Sequence, residues 1–396
     1  MVPRPPRVKR VAFAPHLFGE GWLGGVNYFR NLFSALKTLE SPRIQPLLLV
    51  HPGEEKAAES LHDYIERQRL PALLEPRTSR AARVVARLAP ISRTLWRGYL
   101  VSRGIDLLSH SSPVLPAGWM RSLGFIYDMQ HRELPDLFSE ADRRSRDETF
   151  AAMCRHDSLV VVSSECARRD FGRHFPAHAG KVRVLRFVAN VAVCSPTPIQ
   201  TLRPKYDLPD AFFYLPNQFW RHKNHLLVLE ALDILRRRGK EAIVLATGAA
   251  TDYRHPEYFA EFMARVKALD LARCFRLLGV VPYEDLLGLM QACMAVINPS
   301  LFEGWSTTIE EAKSLGKLAL LSRIPVHLEQ RPARCLYFDT GAPEELAEHF
   351  VAASEGYSPG TERQHIDAAR ACLPERVRDF GLAYEALALE AMGERP

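Results

Sequence analysis

The clearest indication of the fold comes from the stretch PSLFEGWSTTIEEAKSLGK, residues 299–317. It follows the apolar run at 294–298, which predicts a short buried strand, and it continues into a helix expected to end near Gly316. Glu303 therefore lies in a loop at the carboxyl end of a strand, and Glu311 lies in the first turn of the next helix. The helix N-terminus between them has unpaired N–H groups and a dipole that favour a bound anion. The pattern predicts an α/β fold whose ligand carries both phosphate and hydroxyl groups.

The glutamates of this stretch also have an explanation that needs no ligand. Thr308 and Glu311 have the spacing of a capping box, and so do Thr307 and Glu310. One of these two glutamates could therefore serve only the start of the helix. Glu303 lies outside the helix and has no capping role, which favours a ligand-binding role for it.

Apolar strand patterns alternate with amphipathic helix patterns along the chain, which indicates parallel sheets covered by helices. The chain has 396 residues, so two domains are expected. The proline-rich stretch 195–204 lacks periodicity and is predicted to be the linker between them. Strands are expected at 8–14, 45–50, 107–109, 123–127, 158–162, 182–185, 211–215, 242–247, 274–278, 294–298 and 318–321. Helices are expected at 26–39, 55–67, 78–102, 141–155, 164–174, 224–238, 256–269, 283–292, 307–315, 343–354, 362–371 and 375–392.

The composition is that of a soluble globular protein, with 47% hydrophobic and 25% charged residues and a net charge of +6. Apolar runs are too short for a membrane helix, and the run at 11–14 is too short for a signal peptide. The seven cysteines are scattered and include no C-x-x-C pair. This pattern predicts reduced thiols and a cytoplasmic protein, and it argues against a zinc site.

Positive charge is concentrated in the segment from Arg77 to Arg103. This segment contains seven arginines and no acidic residue. Arg80, Arg83 and Arg87 share one face of the expected helix. This face is either an ordinary solvated surface or a patch that contacts anionic lipid headgroups or an anionic acceptor. The segment lacks the interleaved aromatic residues of a groove for single-stranded nucleic acid, so no nucleic-acid partner is expected.

A glycine-rich segment, GEGWLGG at 19–25, follows the first predicted strand and contains G-x-G-x-x-G. A dinucleotide fingerprint is rejected, because residues 15–18 separate it from the strand and the second strand ends without an acidic residue. The better interpretation is a loop that ends in Gly24 and Gly25 at a helix start, where backbone N–H groups can approach a phosphate. A glycine turn without a ligand is the alternative.

Polar residues follow three other predicted strands. Asp128 and His131 follow one of them, and His131 is either structural or a proton-handling group. Arg221 and Lys223 precede a helix N-terminus, where the dipole disfavours cations unless an anion is bound. Phosphate contacts are therefore favoured over an exposed basic loop, and the loop 247–254 is expected to border the base or the sugar.

Together these segments resemble the retaining glycosyltransferases of family 4, which have the GT-B fold. The resemblance covers about residues 8 to 392 and is most specific at the Glu-x7-Glu signature, 299–317, extended by Ser322 and PVHLEQ at 325–330. Three weaker matches are GGVNYFRNL at 24–32, YDMQHRELPDLF at 127–138 and FWRHKNH at 219–225.

The resemblance implies two doubly wound Rossmann-like domains that face a central cleft. The first domain, 1–195, is expected to bind the acceptor, and the second, 205–374, the nucleotide sugar. The C-terminal helix, in residues 375–396, is expected to cross back to the first domain.

The same resemblance implies a role for each site residue. Glu311 would accept hydrogen bonds from the ribose, and Glu303 would contact hydroxyls of the donor sugar. Asp128 and His131 would orient the donor sugar or the acceptor. The remaining donor-binding residues implied by the resemblance are Gly24, Gly25, Arg221, Lys223, Gly304, Trp305, Ser306 and Thr307. No metal and no other cofactor is expected.

The chain departs from the family pattern at three places. Ser306 stands where many members have the second glycine of Gly-Phe-Gly. Asn217 and Gln218 stand where a Gly-Arg pair is common, so that Arg221 would supply the guanidinium. Tyr127 stands where the histidine of a His-Asp pair is common, which makes His131 the substitute.

The function implied is metal-independent transfer of a hexose, with retention, from a UDP- or GDP-linked sugar. The acceptor would be a hydroxyl of a glycan or glycolipid in bacterial surface polysaccharide or lipopolysaccharide synthesis. The protein would be located in the cytoplasm or at the inner face of the cell membrane. The alternatives are a non-catalytic nucleotide- or glycan-binding relative, a sugar-nucleotide epimerase, or a phosphorylase with a pyridoxal group on Lys223, Lys313 or Lys317.

Overall fold

The computed structural model describes residues 7–15, 23–71, 74, 89–110 and 119–394. These residues form two compact units. The first unit comprises the described chain up to Met129, then Arg144–Phe187, and the chain from Arg376 onwards. The second unit comprises Gln130–Arg143 and Val188–Glu375. The sequence-based division placed residues 130–143 in the first domain.

The first unit is built on one parallel sheet, with the strand order β3-β2-β1-β4-β5-β6-β7 in the described residues. Its central strands are rich in buried aliphatic residues, as expected of strands covered on both faces. The strands are β1 Lys9–Phe13, β2 Ile44–Val50, β3 Glu66–Arg69, β4 Leu107–Ser109, β5 Arg121–Ile126, β6 Leu159–Val162 and β7 Val182–Val184.

The second unit has a six-stranded parallel sheet with the order β10-β9-β8-β11-β12-β13. Its core contains Phe213 and Leu215 of one strand and Ile297 of the next, all completely buried. The strands are β8 Phe213–Pro216, β9 Val244–Thr247, β10 Phe275–Gly279, β11 Val296–Asn298, β12 Ala319–Ser322 and β13 Cys335–Phe338. Both sheets therefore have the doubly wound order of Rossmann-like domains.

Helices connect most of these strands. In chain order they are α1 Leu23–Lys37, α2 Glu55–Glu59, α3 Ala89–Ser102, α4 Gln130–Glu133, α5 Glu140–His156, α6 Glu165–His174, α7 Ile199–Tyr206, α8 His225–Arg237, α9 Tyr258–Ala268, α10 Tyr283–Ala292, α11 Thr307–Ser314, α12 Pro325–Gln330, α13 Pro343–Glu355 and α14 Pro359–Met392.

The last helix, α14, contributes its residues from Arg376 onwards to the first unit, in agreement with the expected return of the C-terminal helix. Within that unit the Glu385 carboxylate accepts hydrogen bonds from the backbone N–H of Arg43 (2.7 Å) and of Ile44 (3.3 Å). The Tyr384 hydroxyl donates to Ser109 Oγ at 2.8 Å. These bonds fix the helix to the strands β2 and β4.

Three sequence predictions are wrong in detail, and one further strand was missed. The helix expected at 55–67 ends at Glu59, and the strand β3 follows it. The strand β13 was not predicted. The supposed linker 195–204 is partly helical, because α7 begins at Ile199 and is anchored to α10 by hydrogen bonds from Lys205 and Tyr206 to Asp285. The two helices expected at 362–371 and 375–392 are one continuous helix, α14.

Two of the predicted features fall partly outside the described residues. Arg80, Arg83 and Arg87 lie outside the described residues, as do residues 19–22 of the glycine-rich segment. Gly24 and Gly25 are not the end of a loop before a helix, because α1 begins at Leu23 and both glycines lie in its first turn.

Candidate functional site

The loops that carry the Glu-x7-Glu segment and the basic segment meet at one place in the second sheet. The strands β8 and β11 are parallel neighbours, with Val296 opposite Tyr214, although about 80 residues separate them in the chain. The strand order reverses direction between these two strands. In open α/β sheets, ligands bind outside the carboxyl ends of the strands at such a switch point. Residues 217–224 and 299–306 follow these two strand ends.

An ion pair joins the two loops. Lys223 Nζ donates to Glu303 Oε1 at 2.5 Å, and Ser300 Oγ lies 2.7 Å from the same oxygen. The two side chains are only 16% and 10% exposed. Burial by itself would raise the pKa of Glu303, but the charge of Lys223 and the hydrogen bonds from Lys223 and Ser300 outweigh it and lower the pKa. Glu303 is therefore ionised at neutral pH, and the structure brings together two residues that the sequence assigned to one ligand.

The helix α11 begins differently from the sequence prediction. Its N-cap is Ser306, whose Oγ accepts a hydrogen bond from the backbone N–H of Ile309 at 3.4 Å. Asn298 Nδ2, at the end of β11, donates to the same Oγ at 2.8 Å. The N3 residue is thus Ile309, and neither Glu310 nor Glu311 is the partner of a capping box.

Gln330, at the end of α12, holds the residue before α11 from both sides. Its Oε1 accepts from the backbone N–H of Ser306 at 3.0 Å, and its Nε2 donates to the carbonyl of Ser306 at 3.0 Å. Ser306 is one of the donor-binding residues that the resemblance implies, but its N–H group already donates to Gln330. In the first turn of α11, all of which the structure describes, the N–H groups of Thr307 and Thr308 donate to no protein acceptor. Sequence reasoning missed Gln330 as a site residue, although its motif PVHLEQ contained it.

The two adjacent glutamates of α11 have different surroundings. Glu310 Oε1 accepts from Lys313 Nζ at 2.9 Å and from Gln330 Nε2 at 3.2 Å. Glu311 is 3% exposed and its charge acts on Tyr214, whose pKa is raised first by burial and further by that charge. Because Tyr214 belongs to β8, Glu311 lies towards the switch point. Glu310 is thus held by Lys313 and Gln330, whereas Glu311 is buried on the side of α11 that faces β8.

The remaining residues of the predicted donor site in this unit differ in exposure. Arg221 is exposed, and its backbone N–H donates to Asp252 Oδ2 at 3.1 Å. Gly304 and Trp305 are buried, and Lys313 Nζ lies 6.0 Å from the centroid of the Trp305 ring. Thr307 is half-buried as the first residue of α11.

The predicted catalytic residues other than Glu303 belong to different units. Asp128 is half-buried in the first unit, together with Gly24 and Gly25. His131 belongs to the second unit, is completely buried in the short helix α4, and packs edge-on against Phe138 at 6.3 Å between ring centroids. The structure therefore groups His131 with the second unit, on the segment 130–143.

The described residues contain no group of three or more His, Cys, Asp or Glu side chains arranged to hold a metal ion. In the same residues we find no helix with the length and apolar character needed to span a bilayer. All seven cysteines are free thiols.

The second half of the chain matches a known family. Residues 199–370 fit the model of the family described as glycosyl transferases group 1. This segment contains both loops at the switch point, with Lys223, Glu303 and Glu311.

Solved structures resemble nearly the whole chain. HepE from Anabaena, in complex with UDP and glucose, is 16% identical, with a TM-score of 0.68 over 96% of this chain and 98% of that one. A glycosyltransferase from Rickettsia africae is 16% identical, with a TM-score of 0.68 over 98% and 99%. Sucrose-phosphate synthase from Thermosynechococcus elongatus is 17% identical, with a TM-score of 0.63 over 98% of both chains. The chain has the GT-B fold. The fold class predicted from the sequence is thereby confirmed, with Lys223, Glu303 and Glu311 in its C-terminal half.

Proposed function

We propose that this protein transfers a glycosyl group from a nucleotide diphosphate sugar to a hydroxyl acceptor. The observation that carries the proposal is the Lys223–Glu303 pair beside the start of α11, at the switch point of the second sheet. A cation and free helix N–H groups suit a diphosphate, and a buried carboxylate suits sugar hydroxyls. The match of residues 199–370 to glycosyl transferases group 1 supports the same function.

In this proposal each group has one task. Lys223, the exposed side chain of Arg221 and the N–H groups of Thr307 and Thr308 bind the diphosphate. Glu311 binds the ribose, and Glu303 binds hydroxyls of the donor sugar. The positive groups stabilise the charge that develops on the diphosphate as it leaves. The predicted roles of Gly24, Gly25, Asp128, His131, Gly304, Trp305 and Ser306 remain part of the proposal, with Ser306 acting through its cap and not through its N–H group.

We further propose retention, as in the family 4 enzymes that the Glu-x7-Glu segment resembles. The bond between the anomeric carbon and the diphosphate oxygen breaks. The bond to the acceptor oxygen forms on the same face, and the acceptor proton passes to the leaving phosphate. No metal takes part, so activity is expected to survive EDTA, and loss of activity that Mg²⁺ restores would contradict this point.

The solved neighbours suggest which donor to test first. HepE has been crystallised with UDP-glucose. A similar enzyme from Burkholderia xenovorans is a UDP-forming trehalose-phosphate synthase. We therefore propose a UDP-hexose first and a GDP-hexose second. A glycan or glycolipid of a bacterial surface polysaccharide is proposed as acceptor, at the cytoplasmic face of the membrane, with residues 77–103 as an anionic-lipid contact.

The structure argues against a pyridoxal phosphorylase. Lys317 Nζ is buried and donates to Glu362 at 2.8 Å. Lys313 Nζ donates to Glu310 and to the carbonyl of Gln330, both at 2.9 Å. Lys223 pairs with Glu303. Each of the three lysines considered for the pyridoxal group therefore already has an anionic partner.

The test is release of nucleoside diphosphate from a panel of UDP- and GDP-hexoses, with and without glycan and glycolipid acceptors. The wild type is expected to release the diphosphate from one donor, and Lys223→Ala is expected to reduce the rate by at least about a hundredfold. Lys240→Ala, which removes a half-exposed lysine, is the matched control and should leave the rate unchanged. Nucleotide binding without release across the panel would instead support a non-catalytic relative, and absence of both would contradict the proposal.

A further inference from the structure

Arg254, a buried arginine in the second unit, lies beside the loop 220–223 that is proposed to bind the diphosphate. The guanidinium of Arg254 is 4% exposed, and the carboxylate of Asp252 is 0% exposed. Both belong to the loop after β9, the strand next to β8 in the sheet. Such a pair is costly to bury, so it persists only where its geometry is well satisfied.

The contacts of Arg254 reach two other segments. Its Nη1 donates to Gln130 Oε1 at 3.0 Å, and its Nη2 lies 3.3 Å from His222 Nδ1. The guanidinium carbon lies 4.6 Å from the ring centroid of Phe138 and 5.1 Å from that of Trp220, within the range of a cation–π contact. One side chain therefore contacts both the segment 130–138 and the loop 220–223.

Asp252 and His222 complete the arrangement. Asp252 Oδ1 accepts from the backbone N–H of Arg254 at 3.0 Å, and its Oδ2 accepts from the backbone N–H of Arg221 at 3.1 Å. Burial, followed by the charges of Lys223 and Arg254, lowers the pKa of His222 well below its usual value. His222 is thus neutral, and its Nδ1 can accept the hydrogen bond from Arg254. Asp252 and Arg254 thus form hydrogen bonds with Arg221 and His222, the two residues that immediately precede Lys223 in its loop.

We propose that Arg254 is a positioning residue, which places Lys223 against the donor diphosphate and fixes the segment that carries His131. The inference rests on the proposed function. Gln130 precedes His131 in the chain, and Phe138 packs against the His131 ring. A shift of this junction would therefore displace the loop with Lys223 and the segment with His131 together. Small displacements of that kind are costly for catalysis.

The position of Lys223 predicts which ligands are affected. Lys223 pairs with Glu303, the proposed sugar contact, so it meets the phosphate nearest the sugar. A nucleoside monophosphate lacks that phosphate. Loss of the Arg254 contacts should therefore weaken the binding of a diphosphate and spare the monophosphate, whereas a general loss of structure would weaken both.

The experiment is calorimetric titration of UDP, UMP, GDP and GMP into the wild type and Arg254→Lys, which keeps the charge but cannot span both partners. For the diphosphate that the wild type binds, Arg254→Lys is expected to weaken affinity about tenfold, with the monophosphate unchanged within about twofold. The control is Arg237→Lys, which alters an arginine 70% exposed and ion-paired to Asp233, and it should change neither affinity.

A second variant covers the case in which Arg254→Lys does not fold. Phe138→Leu removes one of the aromatic rings that contact the Arg254 guanidinium. It is expected to weaken the affinity for the diphosphate about threefold and to leave the affinity for the monophosphate unchanged. Equal losses for both ligands, or no loss for either, would overturn the positioning role of Arg254. Failure of the wild type to bind any of the four nucleotides would instead overturn the proposed function.

Discussion

At the scale of single residues, the Glu-x7-Glu segment allowed a prediction for Glu303 but not for the N-cap of α11. The sequence favoured a ligand-binding role for Glu303 because it lies outside the helix. It could not identify the cap, since Ser306, Thr307 and Thr308 are three consecutive capping candidates. The structure selects Ser306, because Asn298 and Gln330 hold it from neighbouring elements. Those contacts bridge 8 and 24 positions of the chain, which no local pattern reveals.

The cap makes a prediction about stability. Ser306→Ala removes the acceptor for the N–H of Ile309 and leaves Asn298 Nδ2 without its partner, so the free energy of unfolding should fall by about 1–2 kcal/mol. Ser306→Gly should cost less, because glycine is a better N-cap than alanine. Urea unfolding measures both, with Ser354→Ala, a hydroxyl within α13, as the control. Equal stability of Ser306→Ala and the wild type would show that Ser306 is not the cap.

At the scale of elements, the central strands were predicted. Of the four edge strands, β7 and β10 were predicted, whereas β3 and β13 were not. The strands β3 and β13 end their sheets, and β3 reads ERQR, with three exposed residues. A polar edge strand such as β3 has no apolar run, so hydrophobic periodicity does not detect it. In α14 the predicted break coincides with Pro374, yet the helix continues through it. Proline in a helix interior usually breaks or kinks it, and sequence alone therefore favoured two helices.

The loop after β9 approaches the loop after β8 at a glycine. Gly248 has φ +142°, and a Cβ there would lie 2.5 Å from the carbonyl oxygen of Asn217. Gly248→Ala should therefore lower the free energy of unfolding by about 2 kcal/mol or more, and it should weaken nucleotide binding through the displaced loop. Gly341→Ala, where a Cβ meets nothing within 4 Å, is the matched control. Thermal unfolding compares the two, and equal melting temperatures would refute this close approach.

At the scale of the whole molecule, alternation of strands and helices predicted two doubly wound sheets, and that prediction is confirmed. The placement of residues 130–143 in the second unit was not predictable. It depends on contacts such as that from Arg254 to Gln130, across 124 positions of the chain. A helix pattern indicates that a segment is helical, but only long-range packing decides which sheet it joins.

Buried histidines predict the pH dependence of stability. Burial lowers the pKa of His225 to about 3 and that of His327 to about 4, from an ordinary value of 6.5. The unfolded chain therefore binds protons first as the pH falls. The stabilisation is complete above about pH 6.5 and is lost progressively as the pH falls towards 4.

A variant isolates one of these histidines. His225 is completely buried and stacks on Phe219 with 4.3 Å between centroids, so His225→Phe keeps an aromatic ring in that place. Between pH 6.5 and 4.5 the slope of unfolding free energy against pH should be smaller in His225→Phe, by at most about 1.4 kcal/mol per pH unit. Urea unfolding at several pH values measures it, with the exposed His62→Gln as control. An unchanged slope would mean that His225 has the same pKa in the folded and the unfolded protein.

In the proposed function, the switch point of the second sheet binds a nucleoside diphosphate, and Glu311 contacts the ribose. The most direct measurement is calorimetric titration of UDP and GDP into the wild type, Glu311→Ala and the exposed control Glu348→Ala. We expect one diphosphate to bind the wild type and Glu348→Ala equally, and Glu311→Ala to lose at least about a hundredfold in affinity, because a charged partner of the ribose hydroxyls is removed. Equal affinity for wild type and Glu311→Ala, in a correctly folded variant, would contradict the account.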